Sequence, residues 1–167
     1  MSTHHLRTAG TGDFPVLRAL LLASYAEFID QLPEADGSAM AANIASAVGR
    51  AAGQWWLMEH DGAPAGCILY GPPGTEASLF PSDWAFVRLL GVAPPARGQG
   101  VSRQLMRHCI ALARSQQAPA IGLYTSDWMQ PAQQLYASLG FAGYGELPGW
   151  YGLRYRTFRL DLSAPAV

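Results

Sequence analysis

The spacing of apolar residues changes repeatedly along this chain, and each change marks an element. His4 to Ala9 is short enough for a first strand, and Gly10-Thr11-Gly12-Asp13 then supplies turn residues, with Thr11 or Asp13 as a helix N-cap. Phe14, Leu17, Leu20, Leu21, Ser24-Tyr25 and Phe28 recur at three and four, which predicts an amphipathic helix from Phe14 to Ile29, with Pro15 tolerated in its first turn. Gln31 to Ser38 carries Pro33, Asp36 and Gly37 and reads as a loop before an Ala-rich helix from Ala39 to Ala52. Gln54 to His60 and Ala63 to Gly71 read as strands joined at the hairpin pair Asp61-Gly62.

The stretch from Trp84 to Val92, rich in aromatic and β-branched residues, predicts a buried strand that Pro94 and Pro95 stop. Helical spacing returns at Val101, Leu105, Cys109 and Leu112. Pro119 ends that helix and Ala120 to Thr125 is a further strand, so strand, helix and strand imply a right-handed crossover with the two strands parallel. A last helix runs from Gln130 to Leu139, with Pro131 at its start and Gly140 past its end. Phe141 to Leu147 and Tyr151 to Leu162 close the chain as strands around Pro148-Gly149. The order β-α-α-β-β-β-α-β-α-β-β predicts an α/β (α+β) fold with a mixed sheet of six to seven strands and about four helices.

Composition narrows the function classes. With 167 residues, 50% of them apolar, the chain fits one domain, residues 1–167. A formal charge of -1 offers no general attraction to nucleic acid or to an anionic membrane, and all 11 basic residues are Arg. Cys67 and Cys109 make neither a disulfide framework nor a metal spacing, so no metal is expected. No apolar run reaches spanning length and the N-terminus lacks a signal peptide's apolar core, so a soluble cytoplasmic protein is expected. The oligomeric state is left open, a homodimer included.

The candidate chemistry lies between the central strand and the helix after it. There Arg97-Gly98-Gln99-Gly100-Val101-Ser102 leads into a helix whose first-turn N–H groups and positive dipole end suit a phosphate or pyrophosphate. No Lys-Ser/Thr pair follows Gly100 and the third glycine of GxGxxG is absent, so neither a Walker loop nor a dinucleotide fingerprint is present. Strand, Arg-x-x-Gly-x-small and helix resemble the acyl-CoA pyrophosphate loop of the GCN5-related N-acetyltransferase (GNAT) family, read here as Arg97, Gly100 and Ser102, with Ser where Gly or Ala is more usual. Leu123-Tyr124-Thr125, then Met129, Ala132, Leu135-Tyr136 and Leu139-Gly140-Phe141, are similar to the family's second motif, with Met129 where many members carry Asn. The order of elements is also the family's, so the resemblance covers nearly the whole chain.

The resemblance implies an acetyl-CoA-dependent N-acetyltransferase acting on a primary amine of a small molecule or peptide. Backbone groups of Leu90 and Val92, on either side of Gly91, would pair with the pantetheine amides as an added strand does. The N–H groups of Gly98, Gln99, Gly100, Val101 and Ser102 would hold the pyrophosphate, with charge from Arg97, while Met129 and Ala132 border the pantetheine arm. Arg103 and Arg107 are within reach of a 3′-phosphate, although helix-surface arginines are most often simply solvated. Tyr136 stands where the family often places a hydroxyl that protonates the departing thiolate; the alternative is a core tyrosine bonded to backbone.

Phe86 stands two residues before Arg88, where many relatives carry a Glu general base. Glu59, His60, Glu76, Asp83 and Glu146 are the remaining candidates, and a water relay or an amine that arrives neutral would also suffice. The acceptor pocket is expected to draw on Tyr25, Phe28, Trp84, Phe86 and Trp150, with Phe80, Trp128 and Tyr151 nearby. Phe86 also opens an alternative, an acyl-CoA-binding sensor or partner module without catalysis; a generic α/β nucleotide-binding domain is the third. Acceptor identity and acyl chain length are not legible.

Overall fold

The computed structural model describes residues 3–76 and 79–163. Its strands are β1 (His4–Ala9), β2 (Gln54–His60), β3 (Ala63–Gly71), β4 (Ala85–Val92), β5 (Ala120–Ser126), β6 (Ala142–Trp150) and β7 (Leu153–Asp161). They form one 7-stranded sheet in the order β1-β2-β3-β4-β5-β7-β6. The helices are α1 (Phe14–Asp30), α2 (Glu34–Ala47), α3 (Val101–Ser115) and α4 (Gln130–Ser138). Every neighbouring pair is antiparallel except β4 and β5, which are parallel as a strand, helix and strand sequence requires.

Strand alternation divides the apolar residues between two layers. On one face, Ile68, Val87, Ile121 and Leu123 meet Val101, Leu105, Met106 and Cys109 of α3. On the other, Leu57, Cys67, Leu69 and Tyr155 meet Leu17, Leu20 and Leu21 of α1 and Met40 and Ile44 of α2. The two cysteines are free and buried in opposite layers, and loss of solvent pushes each thiol up to about 12. Among the described residues no helix is long and apolar enough to cross a membrane.

The largest departures from the expected boundaries lie at α2 and at the last hairpin. Helix α2 starts at Glu34 rather than Ala39 and ends at Ala47 rather than Ala52. Glu34 and Asp36 sit in its first turn, where the helix dipole favours carboxylates. Gly37 is no breaker there; a Cβ on it would lie 2.8 Å from the Ile29 carbonyl, so it serves close packing on α1. The last hairpin turns at Tyr151-Gly152, with φ of 58° and 71°, and not at Pro148-Gly149. Pro148 instead lies inside β6, an edge strand, at the irregularity between Leu147 and Trp150, where no ladder N–H is needed. Asp13 does occupy the N-cap position of α1, but its carboxylate receives Arg7 and the Gly10 N–H instead of capping the helix.

The centre of the sheet is irregular. Strands β4 and β5 pair only through Ala85 with Ile121 and Phe86 with Gly122. Beyond that point β4 stays with β3 through a bulge, in which Cys67 faces Gly91, Leu69 faces Arg88, and Leu89 takes a left-handed φ of 54°. Strand β5 stays with β7 as far as Ser126 opposite Tyr155. The two central strands therefore diverge toward their C-terminal ends and leave a wedge in the middle of the sheet.

Candidate active site

The wedge opens into a cleft of ≈ 680 Å³. Leu90 and Val92 of β4, Thr125 of β5, and Met129, Ala132 and Tyr136 of the α4 segment line one part of it. Tyr25 and Phe28 of α1, Asn43 of α2, Arg88 and Tyr124 of the sheet, and Trp150 at the last hairpin line the other. The cleft thus joins the two faces of the sheet through the gap between β4 and β5, a geometry that lets two molecules approach one point from opposite sides.

The β4 backbone at this gap is hydrogen-bonded to α1. Tyr25 Oη donates to the Leu90 carbonyl at 2.9 Å, and the Val92 N–H donates to Ser24 Oγ at 3.0 Å. Burial pushes the Tyr25 hydroxyl's pKa far up, so it remains a donor. Gly91 points at α1 and does not line the cleft; a Cβ on it would lie 2.9 Å from Leu21.

The glycine loop comes after a 3-10 turn at Pro94–Ala96. Gly98 and Gly100 take left-handed φ of 76° and 79°, which is what makes them glycine, since a Cβ on Gly98 would meet nothing within 4 Å. Gln104 N–H is bonded to the Gly100 carbonyl at 3.0 Å, and no side chain caps the helix. The N–H groups of Val101, Ser102 and Arg103 therefore precede the helical ladder and point out of its N-terminus. Val101 is anchored by its side chain, which is buried in the α3 layer. Arg97 pairs with Glu27 at 2.7 Å and donates to the Ser24 carbonyl at 3.1 Å, so its charge is shared with α1. Arg103 donates to Ser138 Oγ at 3.1 Å, while Arg107 is exposed.

Tyr136 is buried to 8% exposure and lines the cleft, yet its hydroxyl has no hydrogen-bond partner among the described residues. Desolvation pushes its pKa up to about 12. Tyr136 belongs to the core layer and packs on Phe141, but its hydroxyl makes no backbone hydrogen bond. Met129 Sδ accepts from Thr125 Oγ1 at 3.5 Å, which keeps the thioether at the cleft wall.

Trp84 and Phe86, two of the expected acceptor residues, stand outside the cleft because they precede the divergence of β4 and β5. The Phe86 ring fills the space over Gly71, where a Cβ would lie 2.2 Å from it, and Trp84 stacks on Phe80 at 5.7 Å. Trp128 is exposed and also outside, whereas Tyr151 does line the cleft. None of the five candidate bases lines it. Glu59 is bonded to Arg7 at 2.7 Å, His60 packs on His4, Glu146 pairs with Arg154, and Glu76 and Asp83 are exposed between β3 and β4. Cleft residues that are not legible as site groups in the sequence include Ser24, Glu27, Asn43 and Arg88. Ser24 is signalled only by its helical spacing with Tyr25 and Phe28, and Arg88 only as a landmark on the central strand.

Comparison with known proteins fits this geometry. A mycothiol acetyltransferase from Acidothermus cellulolyticus is 34% identical over 99 residues, 54% of this chain and 30% of that protein, so the chain spans under a third of this relative's length. A Corynebacterium glutamicum chain described as histone acetyltransferase HPA2 and related acetyltransferase superposes over 100% of both chains, with a TM-score of 0.70 and 24% identity. A Salmonella typhimurium protein solved with its cofactor acetyl-CoA superposes over 99% of this chain and 97% of that one, with a TM-score of 0.67 and 17% identity. At such identities the two solved structures show the shared fold. The model of the acetyltransferase (GNAT) family matches residues 19–141, from α1 through the glycine loop and wedge to the end of the α4 motif, and the chain belongs to that family.

Proposed function

We propose that the chain is an N-acetyltransferase that moves an acetyl group from acetyl-CoA directly to a primary amine. Acetyl-CoA would supply the thioester and a thiolate leaving group; the features that fit it are the open N-terminus of α3, the wedge between β4 and β5, and the cleft wall of Met129 and Ala132. In the transfer a C–N bond forms and the C–S bond breaks, the nitrogen gives up a proton and the sulfur takes one. Tyr136 is the residue that delivers the sulfur's proton. The carrying observation is that Tyr136 lines the cleft and its hydroxyl has no hydrogen-bond partner among the described residues, which leaves its proton free to be given up.

Among the described residues no free carboxylate or histidine lines the cleft, because Glu27 is held by Arg97. The amine is accordingly deprotonated through water or arrives neutral. The test is release of CoA thiol from acetyl-CoA across an amine panel that includes amino acids and peptide N-termini. Amine-dependent release is expected. Tight acetyl-CoA binding with no amine-dependent release would leave only a binding module.

A further inference from the structure

We infer that the acceptor amine also carries a carboxylate on an apolar or aromatic body, and that Arg88 receives that carboxylate. This deepens the acetyl-transfer proposal and rests on the same cleft. Among the described residues three charged side chains line it, Glu27, Arg88 and Arg97, and two of them pair with each other at 2.7 Å. Arg88 is left as a half-buried cation with no ion pair among the described residues. Its Nε donates to Tyr124 Oη at 3.1 Å, which aims the guanidinium while leaving the two Nη groups without a partner.

A partly desolvated guanidinium held this way costs free energy until an anion meets it, and two free Nη groups match a carboxylate in shape and charge. A purely cationic acceptor, such as a lysine side chain or a polyamine, finds the opposite situation. Among the described residues no free carboxylate awaits it, and the Tyr124 face that would attract an ammonium already carries Arg88, 5.8 Å from the ring centroid. The surrounding Phe28, Tyr124 and Trp150 supply apolar contact for the rest of the molecule.

The test separates the acid site from the chemistry by using ligands without an amine. Calorimetric titration of 3-phenylpropanoate and 3-phenylpropanamide into the CoA complex should show the acid binding roughly tenfold or more tightly, the range of a charge-assisted hydrogen bond. Arg88→Gln should abolish that difference and Arg88→Lys keep part of it, with both variants still melting higher in acetyl-CoA. Thiol release should favour phenylalanine over phenylalaninamide and phenethylamine in the wild type. An amide bound as well as the acid, neither ligand bound, or a preference for the acid that survives in Arg88→Gln would overturn the inference. Acetylation of all three amines at equal rates would overturn it too while leaving acetyl transfer intact. The acid-binding pattern with no amine acetylated would instead uphold Arg88 and reject the transfer.

Discussion

Val92 donates its backbone N–H to the Ser24 hydroxyl at 3.0 Å, so a side chain of α1 occupies a donor on the strand edge that faces the cleft. A backbone N–H makes one good hydrogen bond. A pantetheine amide pairing with Val92 would have to displace Ser24, and the free protein would then be stabilised by a bond that the complex loses.

Ser24→Ala should therefore lower the stability of the free protein by about 1 kcal/mol, the net worth of one hydrogen bond, and tighten acetyl-CoA binding a few-fold. Thermal melts with and without acetyl-CoA, together with calorimetric Kd values, measure both. Unchanged or weaker affinity would mean that the cofactor arm does not use the Val92 N–H.

Gly100→Glu should abolish the rise in Tm that acetyl-CoA gives the wild type, since it sets an anion at the open end of α3. The same variant forces a side chain into a φ of 79°, at a cost of roughly 1–2 kcal/mol, so its own Tm should fall slightly while its circular dichroism stays native. A retained acetyl-CoA shift would move the pyrophosphate site elsewhere.

Tyr136→Phe should slow turnover by about 10²-fold, with acetyl-CoA affinity nearly unchanged. The departing thiolate belongs to a thiol of pKa about 8.5, so the deficit should shrink as pH rises past that value. The hydroxyl itself, pushed up to about 12, stays protonated across this range. A pH-independent deficit, or none, would remove the acid role.

Gly71→Ala should cost roughly 1–3 kcal/mol by overpacking, because its Cβ would lie 2.2 Å from the Phe86 ring. Combining it with Phe86→Leu should recover part of that loss. Additive losses in chemical denaturation would show that the two residues do not share the space.

The Asp13 carboxyl is held down at about 2, first by Arg7, whose guanidinium lies 2.9 Å away, and then by the Gly10 N–H. Since its folded pKa lies below the ordinary carboxylate value, the stability it contributes is complete above roughly pH 4 and disappears as pH falls through about 2. The gap in Tm between the wild type and Asp13→Asn should close over that window. A gap constant down to pH 2 would make the pairing irrelevant to folding.

The order of elements is legible in the sequence because periodicity and turn residues act locally, and Asp61-Gly62 even fixes its hairpin. What escapes is set by tertiary contact. Gly37 looks like a breaker until Ile29 is placed against it, and Tyr151 has no composition that announces a left-handed turn. Leu89 likewise gives no sign of its positive φ, although its bulge helps open the cleft. The glycine loop and Tyr136 are candidates by motif spacing alone, whereas Arg88 becomes a candidate only once Glu27 is seen to pair with Arg97. Trp84 and Phe86 fail as pocket residues for a geometric reason, since the point where β4 and β5 part is invisible in the sequence.

The buried cysteines have a practical consequence for assay design. Cys67 and Cys109 lie in the two core layers with thiols pushed up to about 12, so in the folded protein neither offers a thiolate to an aromatic disulfide reagent near pH 8. Colour from such a reagent counts free CoA alone, and turnover can be followed continuously without substituting either cysteine. The same reagent doubles as an unfolding probe: protein-derived absorbance in a mixture lacking acetyl-CoA reports the fraction of molecules whose core has opened.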